Sequence, residues 1–196
     1  MTPGAIAAIV VSVLAGAAIV AYVIYQIIAA VRRNDSSMWL NVLGARFYLR
    51  PDIAKESVVS EPVPTGDRLI AYLYPGIDAV KQAIKIYTPN RIVDASITGV
   101  RAYWRPVRRV RRIPGGFEQH PLGPSLMFRD PRLRPAHRTH DWYAGRRIGD
   151  LIVVGWNGAL PKTALLHEFA HLLLDRNGLN PDAGHTRYPE VWKAAG

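Results

Sequence analysis

The hydrophobic pattern opens on a continuous run. Residues 5–31 carry no charged side chain and are built mainly from Ala, Ile, Val, Leu and Gly, with Arg32 and Arg33 closing the stretch. About 20 apolar residues suffice for a helix to cross a bilayer, so the pattern predicts a transmembrane anchor over residues 1–33. A cleaved signal peptide would need a basic n-region and a shorter apolar core, whereas "MTPG" supplies no basic side chain. Arg32, Arg33, Arg46 and Arg50 follow the run and no Lys or Arg precedes it. By the positive-inside rule the expected location is a single-pass membrane protein with its C-terminal part cytoplasmic.

Beyond the run the periodicity changes. Trp39, Val42, Leu43 and Phe47 recur at helical spacing, which predicts an amphipathic juxtamembrane helix over 38–49. Pro51, Pro62 and Pro64 among polar residues mark 51–67 as a linker, so 34–67 forms a connecting segment. Ile77, Val80, Ile84 and Tyr87 predict a helix over 76–88. Apolar residues then alternate at 93, 95, 97 and again at 100, 102, 104, as in two short strands or one bulged strand over 91–105. Residues 106–147 mix Pro, Gly and Arg without a sustained period and read as a long insertion. An apolar run at 151–154 predicts a strand over 149–155, expected at a sheet edge beside a cleft. Pro161 and Thr163 then open, and Asn177 and Gly178 close, a helix whose Leu165, Leu166, Phe169, Ala170, Leu172 and Leu173 make it apolar in almost every direction. The predicted class is α+β: an N-terminal transmembrane helix, then one small domain over 68–196 with a short mixed sheet and a buried C-terminal helix.

Composition narrows the chemistry. The chain has 196 residues and no cysteine, so thiolate metal sites, disulfides and cysteine nucleophiles are excluded. Its formal charge is +10, with twelve arginines in residues 101–147 facing only Glu118, Asp130 and Asp141. Such a stretch attracts nucleic acid or anionic lipid, or is simply a solvated arginine-coated loop.

The buried helix contains "HEFAH". His167 and His171 lie one turn apart and project from one face, and Glu168 stands beside them. This H-E-x-x-H spacing offers two imidazole ligands to Zn2+ and a carboxylate to take a proton from water. A pair of hydrogen-bonded core histidines is the alternative. A catalytic zinc needs a third protein ligand. His185, after the "NPDAG" turn, and Glu190, separated from His171 by eighteen intervening residues, are the two candidates. Asp175 continues the same row but lies about 12 Å along the helix from His167, which suits an outer partner rather than a ligand. Tyr188 and Arg187, just past His185, are candidate donors to an oxyanion.

"HEFAHLLLDRNGLNPDAGHTRYPEVW" resembles the active-site stretch of SprT-like (Spartan-type) zinc metalloproteases, in which H-E-x-x-H is followed by a loop, a "GH" and a later aromatic residue. The resemblance implies zinc on His167, His171 and His185, Glu168 as catalytic base, and Trp192 as the trailing aromatic. More loosely, 68–196 is similar to small zincin metallopeptidase domains, which implies a peptide or protein substrate. The membrane run and the arginine-rich insertion are not part of that pattern. Two other classes fit the same residues: a membrane-associated structural or virion component with a non-catalytic metal site, and a polyanion-binding module.

Overall fold

In a computed structural model of the chain, residues 20–22, 24–25, 38–49, 53–59, 61–130, 142–180 and 185–196 are described. The chain divides into two compact units, residues 1–37 and 38–196. In the first, 20–22 and 24–25 are helical; the rest of the run at 5–31 lies outside the described residues. No helix among the described residues is long and apolar enough to cross a membrane. The expected transmembrane helix, and the single-pass membrane location built on it, are corrected accordingly. The longest described helix, Gly66–Tyr87, contains Asp67, Arg68, Asp78, Lys81 and Lys85, and this charge on its outer face suits a helix lying on a sheet rather than one immersed in lipid.

The second unit opens with a hairpin where a helix was expected. Strands β1 (Met38–Val42) and β2 (Ala45–Leu49) pair antiparallel, with Val42 opposite Ala45. Leu43 and Gly44 both take positive φ, 53° and 80°, as a two-residue hairpin turn requires. The apolar residues 42, 45 and 47 are buried while Asn41 and Arg46 are exposed, a strand alternation interrupted by the turn. A short helix α1 (Ile53–Glu56) follows, its Ile53 fully buried. Helix α2 (Gly66–Tyr87) starts ten residues before the expected 76 and runs through Pro75. Gly76 permits close approach to the segment carrying Leu166, since a β-carbon there would stand 2.7 Å from Leu166 Cδ2.

Of the strands expected over 91–105, only β3 (Arg101–Pro106) forms. Residues 92–97 are irregular and are fastened instead by Asn177, whose side chain accepts from Asp94 N and donates to Asp94 O. The arginine-rich stretch is not a structureless insertion. It supplies β4 (Arg108–Ile113), β5 (Gly116–Gln119), β6 (Ser125–Arg129) and β7 (Trp142–Tyr143), a second sheet in the order β5-β4-β6-β7. Strand β8 (Gly145–Ile148) then pairs antiparallel with β9 (Leu151–Trp156).

The main sheet runs β1-β2-β3-β9-β8. Strands β2, β3 and β9 are mutually parallel, and the outer two pair antiparallel. The strand expected at the edge, β9, is therefore interior, and β8 is the edge. One face of this sheet carries Phe47, Ala102, Trp104, Ile152 and Val154 against α2 and the helix α3 (Leu165–Arg176), forming the main core. Phe47 anchors it, its ring 5.9 Å from Trp104 and 6.2 Å from Phe169. On the opposite face Phe128 of the second sheet packs on Val153 with Tyr103 and Tyr143. A last helix, α4 (Pro189–Ala195), buries Val191 in the main core.

Candidate metal centre

The chain enters α3 through a 3-10 turn, Leu160–Lys162. Thr163 Oγ1 donates to Leu160 O at 2.8 Å and accepts from Leu165 N at 3.4 Å, so the hydroxyl links turn and helix. Leu165, Phe169, Leu172 and Leu173 turn one side of α3 fully into the core. His167 and His171 share another side and are only partly buried. The helix ends at Asn177, with Gly178 at φ 72° supplying the left-handed residue that stops it. The "PDAG" turn, residues 181–184, lies outside the described residues.

His185 returns to the pair. Its ring centroid lies 4.7 Å from His167 and 5.1 Å from His171, and the two helical imidazoles are 4.9 Å apart. One nitrogen from each of the three rings falls within a set spanning 4.8 Å. His185 Nε2 and His171 Nε2 are 3.1 Å apart, close to the roughly 3.3 Å edge of a tetrahedron with zinc–nitrogen bonds of about 2.0–2.1 Å. The donor set therefore fits a metal ion, and three imidazoles suit zinc. His185 takes a positive φ of 55°, an uncommon conformation for a residue with a β-carbon and one that clusters at functional sites. Glu190 is not among the converging groups. It is exposed on α4, where its backbone N donates to Tyr87 OH at 3.4 Å.

Burial sets the protonation of the cluster. It holds His171 down to about 4, with His167, His185 and Arg147 adding repulsion of a further positive charge. His167 is lowered as well, by burial and then by His185. Neutral imidazoles are the form that ligates a metal. Glu168, 7% exposed, is pushed the other way: burial raises its carboxyl to about 7 against the opposing pull of Arg146 and Arg147.

Two site residues had no signal in the motif. Gly145 of β8 lies against Glu168, where a β-carbon would come within 2.7 Å of Oε1 and 2.7 Å of Ala164 Cβ. Arg147, on the same side of β8, donates to His171 O at 2.9 Å, to Gly149 O at 2.9 Å, and pairs with Asp175. It thus fastens the edge strand to the metal-site helix, and Asp175 serves as its partner. Trp192, the expected trailing aromatic, lies against the cluster: its indole is 5.3, 4.7 and 4.5 Å from His167, His171 and His185. Its Nε1 donates to Arg187 O at 2.6 Å, which fixes the ring. Tyr188, the expected oxyanion donor, takes φ 59° and packs its ring edge-on against Tyr87 at 5.1 Å. A helical-period reading finds residues on one helix; Gly145 and Arg147 come from an edge strand. Glycine beside "RR" in a proline- and arginine-rich stretch gave no sign of its neighbour.

Comparison with known proteins finds no matching family model, no matching curated protein and no matching solved structure. The likeness to SprT-like proteases rests on the motif residues themselves.

Proposed function

We propose that the 38–196 unit is a zinc-dependent peptide hydrolase, with His167, His171 and His185 holding the metal and Glu168 acting as general base. The carrying observation is the convergence of three imidazole nitrogens within 4.8 Å beside a buried carboxyl. Bound zinc would supply Lewis-acid polarisation of the scissile carbonyl and a lowered pKa for water. Glu168 accepts the proton of the attacking water on a carboxylate oxygen and passes it to the leaving amine. Burial that brings its carboxyl to about 7 suits a group that must both take and return a proton near neutrality.

Strand β8 supports a peptide substrate. It ends the main sheet, and Gly155 N donates to Ala144 O at 2.9 Å. Antiparallel alternation then puts Gly145 and Arg147 at the non-hydrogen-bonded positions opposite β9, with their backbone N–H and C=O directed outward. An extended peptide paired there gains main-chain hydrogen bonds and runs past Glu168, because Gly145 has no side chain to keep it away.

A non-catalytic metal site is the second reading, favoured by the indole of Trp192 lying against all three imidazoles. One experiment separates the two. Zinc-loaded full-length chain should digest an unfolded protein such as casein, and Glu168→Gln with equal zinc should lose at least a hundredfold, in the 10²–10⁴ range of general-base catalysis. Equal digestion by both proteins, or none by the zinc-loaded wild type, contradicts the hydrolase.

A further inference from the structure

Strand β8 ends the main sheet, and its two faces are unlike. Gly145 and Arg147 lie toward α3, against Glu168 and His171. Arg146 is the register partner of Val153, whose side chain belongs to the small cluster with Phe128, Tyr103 and Tyr143 on the opposite face. The Arg146 side chain therefore stands on that opposite face, its guanidinium 5.1 Å from the centroid of the Tyr143 ring. Tyr143 is itself held 5.9 Å from buried Phe128. Ile148, the other β8 residue on this side, is apolar, so Arg146 carries the charge that the strand presents there.

Arg146 is partly desolvated without being neutralised. Its Nε is buried and has no hydrogen-bond partner, and among the described residues no carboxylate forms an ion pair with it. Arg147 differs, since Asp175 and two backbone oxygens engage it. The Arg146 charge is nonetheless felt in the cleft, where it opposes the upward push of burial on the Glu168 carboxyl. Loss of water strengthens the attraction of a charge for an incoming anion, and the cation–π contact with Tyr143 holds the guanidinium in place.

We infer that Arg146 selects peptides carrying an acidic residue beside the cleaved bond, an inference that rests on the peptide-hydrolase reading above. Strand geometry supplies the alignment. Gly145 and Arg147 direct their backbone N–H and C=O outward, so a peptide paired on β8 bonds to those two residues. In an antiparallel peptide the residue opposite Arg146 then forms a non-hydrogen-bonded pair with it, where Cα atoms stand about 4.5 Å apart and side chains approach most closely. That side chain projects to the Arg146 face, while its neighbour in the peptide, opposite Gly145, passes Glu168. The residue facing Arg146 thus lies within about two residues of the bond that Glu168 serves, and opposite charges so placed across strands attract.

The test gives the zinc-loaded full-length chain a randomised library of synthetic peptides and reads the cleavage sites by mass spectrometry. Asp and Glu should be enriched at one fixed position beside the cleaved bond. In matched peptides, Glu should exceed Gln at that position by roughly fivefold in kcat/KM, the scale of a cross-strand pair of opposite charges. Arg146→Gln, at equal zinc content, should still cut the Gln peptide and lose the preference. Arg146→Lys, which keeps the charge, should retain it, and Arg146→Glu should favour Lys over Gln. A merely structural role for Arg146 moves the rates on all peptides together and leaves their ratio unchanged, so the ratio stays readable in a variant that folds poorly. Acidic enrichment absent from wild type, or unchanged in Arg146→Gln, overturns the inference and leaves the hydrolase standing. No cleavage of any peptide by wild type overturns both.

Discussion

Gly145 and Glu168 are in contact across the boundary between the sheet edge and the metal-site helix: a β-carbon on Gly145 would lie 2.7 Å from Glu168 Oε1 and 3.0 Å from its Cγ. The absence of a side chain at one residue therefore sets where the carboxyl of the other can rest. Gly145→Ala should displace that carboxyl without touching a histidine. We expect zinc content to be retained, stability to fall by about 1–3 kcal/mol as for other overpacked sites, and casein hydrolysis to fall at least tenfold. Zinc analysis, thermal melting and a hydrolysis assay on one preparation check all three; full activity in the alanine variant would remove Gly145 from the site.

The buried Glu168 makes a pH prediction for the metal-free chain. Its carboxyl is raised from 4.5 to about 7, so between those values the folded chain holds a proton that the unfolded chain releases. Stability from this group is then highest below pH 4.5 and is lost as pH rises toward 7. Relative to Glu168→Gln, wild type should lose up to about 3 kcal/mol across that window. His171, lowered from 6.5 to about 4, acts in the opposite sense, with stability growing as pH rises from 4 to 6.5, but it is common to both proteins and largely cancels. Denaturant unfolding in the presence of a chelator measures the difference; one that is flat, or that favours wild type more at pH 7, contradicts the assignment.

The hairpin turn can be tested separately from the site. Gly44 has φ 80°, and a β-carbon there would meet Thr98 Oγ1 at 2.5 Å. Gly44→Ala should destabilise the fold by about 1–3 kcal/mol with zinc stoichiometry unchanged. A variant as stable as wild type would argue against the β1–β2 hairpin and for the helical spacing of Trp39, Val42, Leu43 and Phe47.

That last contrast shows how much of the fold was legible in the sequence. Residues 38–49 satisfy a helical spacing and a turn-interrupted alternation equally well, and the choice falls to long-range pairing of Phe47 with Ala102. The spacing of Ile77, Val80, Ile84 and Tyr87 placed the helix start at 76, yet α2 begins at Gly66 and runs through Pro75, its Gly76 packed against Leu166. The second sheet was hidden because β4 buries only Val110 among its arginines, leaving no apolar alternation to detect. By contrast, His167, Glu168 and His171 lie within one helical turn, where spacing alone fixes their neighbourhood. His185 was one of two candidates, since the fold of the intervening loop decides which side chain returns; Gly145, Arg147 and the reach of Trp192 depend on tertiary contacts that no local pattern records.

Zinc stoichiometry tests the metal centre most directly, measured on full-length wild type beside His185→Ala and Glu190→Ala after exhaustive dialysis. With zinc on His167, His171 and His185, about one zinc per chain is expected for wild type and Glu190→Ala, and substantial loss for His185→Ala. Full zinc in the His185 variant, or loss confined to the Glu190 variant, would contradict it.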